Sequence, residues 1–292
     1  MDGAQKLEEV VRTMKAMAAS SIGQYEAAVR ALGDYEHCVE LGLSVCLRAQ
    51  TAHRVEAPLR RDAAPVGAIV FGSDQGLVGR FNEIIADFAK QTLNAIPGPK
   101  IVWAVGERVS QHLKDAGMSL AGQFTVPGSV AAITPVVGQI QTESETRRSE
   151  GEYSQLYLFY NRFDSTALYE PVSQRLLPLD AQWRERLTRL RWPTPQPPEV
   201  LSGQAATLTA LVREYLFISL YKACAESLAS ENSSRLAAMQ RAEKNIEALS
   251  AALGQTFYRL RQSTIDEELF DVIAGFKALS TKTRVSRYES HD

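Results

Sequence analysis

All twelve prolines of the chain lie between Pro58 and Pro198, and the long stretches before and after them contain none. Proline removes a backbone donor and clashes with the preceding helical turn, so it breaks helix interiors. Both ends of this chain are therefore free to run as long helices, and the middle is not. No other feature limits the possible folds as much.

The two ends carry the periodicity such helices need. Val10, Met14, Met17, Ser21, Tyr25, Ala28, Leu32, Tyr35, Val39, Gly42 and Cys46 follow one another mostly by threes and fours, which lines one side of a helix. A helix over 4–56 would measure about 80 Å. Toward the C-terminus Met239, Ala242, Ile246, Leu249, Leu253, Thr256 and Leu260 share one phase, and Ile265, Leu269, Val272, Phe276 and Leu279 share another. A helix over 205–280 would reach roughly 110 Å. Helices of that length project from a small globule, and an apolar stripe needs a partner. The expectation is an antiparallel coiled coil of the two ends, with Leu249 and Leu253 buried against the N-terminal stripe.

Between the ends the pattern changes to short apolar runs bounded by turn residues: Val66 to Phe71, Ile101 to Val105 and Leu156 to Tyr160. These read as buried strands. Helical stretches at Phe81 to Ala95 and Arg108 to Ala116 follow the first two, which is the alternation of a mostly parallel sheet. The fold class expected is mixed α+β and α/β: a long N-terminal helix over 1–57, a central α/β domain over 58–202, and a C-terminal helix with a polar tail over 203–292. Arg191 to Pro198 reads as a stiff, proline-rich linker into the last helix.

Net charge is -2, without the basic excess that phosphate-backbone binding shows, so nucleic acid is not an expected partner. Cys38, Cys46 and Cys224 have no CxxC spacing and are odd in number, which fits a reducing compartment better than a disulfide framework. The opening residues are charged throughout, and nowhere do about eighteen apolar residues run together. A soluble protein, or one peripheral to a membrane, is expected.

Candidate chemistry is sparse. Gly72 to Asn82, GSDQGLVGRFN, stands between a strand and a helix, where glycine-rich loops hold phosphates. Neither GxGxxG nor GxxxxGK[ST] is present, so a structural turn with Asp74 as a cap is the better reading. His37, His53, His112 and His291 lie far apart and form no metal-ligand pair on a helix. Asp266, Glu267 and Glu268 read as a solvated or partner-facing helix surface. No catalytic group, metal or cofactor is assigned.

Three segments carry a resemblance. Near the C-terminus stand Glu226, Glu231, Ser234-Arg235-Leu-Ala-Ala-Met239, Ala242 and Asn245, then Arg261-Gln262-Ser-Thr-Ile265 and Glu268. Together they resemble the C-terminal signature of F-type ATP synthase gamma subunits, an SRxxAM block preceding an RQxxI block on one helix. Val10 to Ala19, VVRTMKAMAA, is similar to that family's N-terminal ITKAMKMVAA-type motif. Ser73 to Asn82 is similar to its SDRGLCGxxN turn. The three blocks span nearly the whole chain in the right order.

The resemblance implies a non-catalytic rotor shaft: an antiparallel coiled coil inserted into a hexamer of alternating alpha and beta subunits, one copy per complex. A Rossmann-like domain at its base would meet the epsilon subunit and the membrane ring of c subunits. It would lie peripherally at the cytoplasmic face of a bacterial membrane and couple proton or sodium flow to ATP synthesis or hydrolysis. It implies beta-subunit contacts at Arg12, Met14, Lys15, Arg261, Gln262 and Glu268. The chain departs from the family in opening later along the first helix, in Tyr258 for the usual asparagine, in Asp266 for a frequent threonine, and in the tail Ser280 to Asp292. That tail, together with the VVRTMKAMAA and QYEAAV wording of the first helix, resembles the divergent second F-type ATPase of some bacteria. The alternatives are an enzyme on the central domain, which would need a convergent catalytic set that the sequence lacks, and a free-standing coiled-coil scaffold.

Overall fold

The computed structural model describes residues 2–50, 65–164, 168–196, 198–200 and 203–288. The expected continuation of the first helix over 51–56 lies outside the described residues. The chain divides into two compact units, Met14–Met239 and a smaller one formed by Met1–Thr13 with Gln240–Asp292.

Two long helices thread both units: α1, Asp2–Gln50, and the last helix α6, Gln204–Tyr288, of 85 residues. Proline-free sequence allows this length, and Ser280 to Tyr288, expected as a polar tail, continues α6. Between them lie β1 (Val66–Phe71), α2 (Phe81–Asn94), β2 (Lys100–Val105), α3 (Glu107–Asp115), β3 (Leu120–Phe124), α4 (Val130–Ser149), β4 (Gln155–Asp164), β5 (Leu168–Leu177) and α5 (Ala181–Thr188).

In the larger unit the strands form one sheet in the order β3-β2-β1-β4-β5. The first four are parallel and β5 returns antiparallel along β4. The mostly parallel sheet expected from the alternation is therefore present. Strand alternation sends Val66, Ala68 and Val70 to one face, where they pack with Ile85, Leu93, Val109 and Leu113 of α2 and α3. Ile69 and Phe71 point to the other face, where Trp103, Leu156 and Leu158 join Ile133 and Ile140 of α4 and the long helices. Continuous burial of β1 on both faces explains its unbroken apolar run.

The long helices lie antiparallel within this unit. Glu36 pairs with Lys222 at 3.1 Å, Tyr35 donates to Glu214 at 2.9 Å, and Gly42 faces Leu211. The buried stripe of α1 runs through Ala18, Tyr25, Val39 and Cys46, with Leu43 fully buried beside it. Those four follow a seven-residue repeat with Leu32 partly buried in the gap, the spacing of a coiled-coil seam. The expected face is corrected at its N-terminal end: Met17 is 66% exposed and Ala18 takes the seam.

In the smaller unit Val11 is buried, whereas Val10, Leu7, Leu249 and Leu253 are exposed. The expectation that Leu249 and Leu253 are buried against the N-terminal stripe is thus overturned. Among the described residues of that unit Val11 alone is buried, so its stretch of α1 does not cover the apolar stripe of α6. Phe257, Tyr258, Leu260, Ile265, Leu269, Phe270, Val272 and Ile273 are exposed along the remainder. No helix of the described residues is long and apolar enough to cross a membrane.

Candidate functional site

Parts of the three sequence blocks singled out above, around Met14, Asp74 and Glu231, meet in the larger unit. A cleft of about 350 Å³ is walled by Met14, Met17, Ala18 and Tyr25 of α1, by Asp74 and Gln75 of the turn after β1, by 126–128 after β3, and by Leu228, Glu231, Asn232 and Arg235 of α6.

The turn is held from many sides. Ser73 N donates to Asn82 Oδ1 at 2.9 Å, and Asn82 Nδ2 donates back to Ser73 Oγ at 2.8 Å. Asp74 accepts from the backbone N–H of Glu107 through Oδ1 and from that of Val126 through Oδ2, both at 2.9 Å. Asp74 is a cap, as the sequence suggested, but it caps the first turn of α3 rather than the helix that follows it. Gly72 permits this closeness, since a Cβ there would come within 2.3 Å of Val109 Cβ. Leu77, at the tip, holds φ at +62° and is 61% exposed.

Helix α6 closes the arrangement. Ser234 Oγ donates to the Val78 carbonyl at 2.6 Å, fixing the turn against the helix. One turn of helix away, Arg235 Nη2 donates to Glu231 Oε1 at 2.5 Å, with both side chains largely buried. Burial pushes the Glu231 carboxyl above the usual carboxylate range, and Arg235 opposes that shift. Burial likewise raises the Tyr25 phenol, with the neighbouring Glu231 charge adding to it. The carboxylates are committed to the fold, Asp74 to two amides and Glu231 to Arg235. Among the described residues that wall the cleft, none pairs a nucleophile with a base.

The predicted contact residues separate. Met14 and Lys15 belong to the larger unit and are half-buried, with Met14 at the cleft. Arg12 belongs to the smaller unit, exposed and paired with Glu8 at 2.7 Å. Arg261, Gln262 and Glu268 are exposed on the same unit's stretch of α6, Arg261 and Glu268 seven residues apart and so on one side of it. Glu231, Arg235 and Ser234 were quoted in the sequence blocks but not assigned a role. Their only local signal was the presence of charge and hydroxyl inside an apolar-periodic stretch.

A family model described as ATP synthase matches residues 1–279. The ATP synthase gamma chain of Haemophilus influenzae (strain ATCC 51907 / DSM 11121 / KW20 / Rd) is 26% identical over 285 residues, covering 94% of this chain and 95% of the relative. That of Dechloromonas aromatica (strain RCB) is 26% identical over 278 residues, with the same two coverages. Among solved structures, a chain of the Euglena gracilis mitochondrial ATP synthase OSCP/F1/c-ring assembly superposes with a TM-score of 0.60 at 14% identity, covering 95% of this chain and 91% of that one. A chain of the Tetrahymena thermophila mitochondrial central stalk and c-ring gives 0.56 at 22% identity, with coverages of 80% and 99%. These structures share the fold of paired terminal helices around a parallel-dominated sheet. With a family model matching nearly end to end and full-length relatives of one kind, the chain belongs to the gamma-subunit family of F-type ATP synthases.

Proposed function

We propose that this chain is the central rotor shaft of an F-type ATP synthase, coupling ion flow through a membrane ring to nucleotide chemistry on an alpha/beta hexamer, and makes no covalent bond itself. The observation that carries the reading is the set of eight exposed large apolar side chains on α6 between Phe257 and Ile273, on a chain of this family. Scattered exposed apolar residues are ordinary, but a helix apolar on several sides requires an enclosing partner. A sleeve of alternating subunits supplies one.

Coupling then follows from differential contact. As an asymmetric shaft turns, each beta subunit meets a different face of it and shifts among conformations according to the interaction energy. Arg12, Met14, Lys15, Arg261, Gln262 and Glu268 are the proposed beta contacts. Epsilon and the c ring would meet the sheet domain, and the complex would sit at the cytoplasmic face of a bacterial membrane. Nucleotide and magnesium would sit on alpha and beta.

Affinity purification through a tag on this chain tests the reading. The expected result is co-elution with ATPase alpha and beta subunits at one copy per hexamer, together with no ATP hydrolysis by the isolated chain. A stable free chain that never enters an ATP-hydrolysing complex would overturn it.

A further inference from the structure

The larger unit has a basic pole. Helix α1 ends there and α6 begins there, since Gln204 Nε2 at the start of α6 donates to the Cys46 carbonyl near the end of α1 at 3.0 Å. Helix α5 finishes at the same place: Arg48 Nε of α1 donates to the Thr188 carbonyl at 2.9 Å, and its Nη2 to the Leu190 carbonyl. The inner side of α5 packs through Leu187, which is fully buried, and through Trp183, whose ring meets Tyr215 edge-on at 5.2 Å. Its outer side and the segment after it carry Arg184, Arg186, Arg189 and Arg191, all exposed.

A chain with a net charge of -2 thus gathers four arginines against the single carboxylate of Glu185 within 181–198. Nearby acids do not neutralise them all. Arg189 takes Glu185, and Arg186 takes Glu40 of α1 at 2.6 Å, whereas Arg184 and Arg191 have no ion-pair partner among the described residues. Half-exposed Trp192 follows directly. The planar fork of arginine matches phosphate oxygens, and an indole favours the boundary between water and hydrocarbon. We propose that this pole docks on anionic phospholipid headgroups. The inference rests on the rotor reading above, which sets the sheet domain toward a membrane. The cations run along a helix side and onto the extended segment after it, an open arrangement suited to the diffuse negative charge of a bilayer surface. The remainder of the chain is net acidic, so the same surface repels it and turns this pole inward.

The test is flotation of the purified full chain with two kinds of vesicle, phosphatidylcholine alone and phosphatidylcholine mixed with phosphatidylglycerol. Wild type should bind the anionic vesicles and come off as salt is raised. Arg184→Gln with Arg191→Gln, which breaks no ion pair, should weaken that binding about tenfold or more. Arg108→Gln with Lys114→Gln removes the same charge from exposed positions on α3 and should leave it nearly unchanged. Equal binding to both vesicles, which the exposed apolar side chains of α6 alone would give, overturns the proposal, and so does an equal loss in the two double variants. A pole variant that keeps its lipid binding but no longer assembles with ring subunits overturns it too, and assigns these arginines to a protein surface. Failure of the wild-type chain to join an ATPase complex rejects the rotor reading instead, whatever the vesicles show.

Discussion

Ser234 on α6 donates its hydroxyl to the backbone carbonyl of Val78, a 2.6 Å bond between residues 156 positions apart. Both groups are buried, and without Ser234 the Val78 carbonyl would keep only the long 3.3 Å bond from the Phe81 N–H. Ser234→Ala should cost about 1 kcal/mol, the net contribution of one such hydrogen bond. Ser233, whose hydroxyl donates to the Ala229 carbonyl one turn back on the same helix, is the control. Urea denaturation of both variants should find Ser233→Ala close to wild type and Ser234→Ala clearly weaker. Equal midpoints would mean that the turn does not depend on α6.

Leu43 and Leu253 give opposite expectations despite both lying on apolar stripes. Leu43 is fully buried in the main core, where its side chain contributes ~2 kcal/mol by removal from water. Leu43→Asp would add an unpaired buried charge and should prevent folding of the isolated chain. Leu253 is 44% exposed, so Leu253→Asp should leave thermal unfolding of the isolated chain nearly unchanged. Any defect should emerge only on assembly with partner subunits. A large drop in melting temperature for Leu253→Asp would restore the buried seam that the structure denies.

Two tyrosines set an alkaline limit. Burial pushes the phenols of Tyr153 and Tyr160 up to about 12 from an ordinary value of 10.0. Tyr153 also donates to the Ser144 carbonyl at 2.6 Å, a bond that the ionised phenol cannot make. Between pH 10 and 12 the unfolded chain sheds these protons while the fold retains them, so stability falls as pH rises through that window. Denaturation midpoints measured across it should decline, and Tyr160→Phe should flatten the decline. Absorbance titration near 295 nm showing both phenols ionising at ordinary pH would contradict their burial.

Lys15 and Arg261 test the proposed beta contacts. Reversal of both to glutamate should leave assembly intact, since partly screened charge contacts are worth about 1 kcal/mol or less. The ratio of pumping to hydrolysis should fall while hydrolysis continues. An unchanged ratio in a verified complex would make these charges a solvated helix surface.

Much of this architecture was readable from local pattern. The confinement of proline to the middle announced α1 and α6, and the apolar runs at Val66, Ile101 and Leu156 announced the strands buried on both faces. Strands β3 and β5 escaped notice because each lies at an edge of the sheet and mixes exposed with half-buried positions, leaving no continuous apolar run. Helix α4 escaped because Pro135 sits within it and its polar and apolar residues show little periodicity.

The chain's own sequence determined where long helices can exist and which segments must be buried, because proline exclusion and side-chain period act over a few neighbouring residues. Tertiary structure alone decided which side of α1 faces inward. Spacings of three and four admit adjacent stripes, and the antiparallel partner selected Ala18 over Met17. It also decided that Leu249 and Leu253 stay exposed, and that Val78, Ser234, Asp74 and Glu231 belong to one site. Those relationships join residues far apart in the chain, and only packing of the whole unit brings their hydrogen-bonding and charged groups within reach of one another.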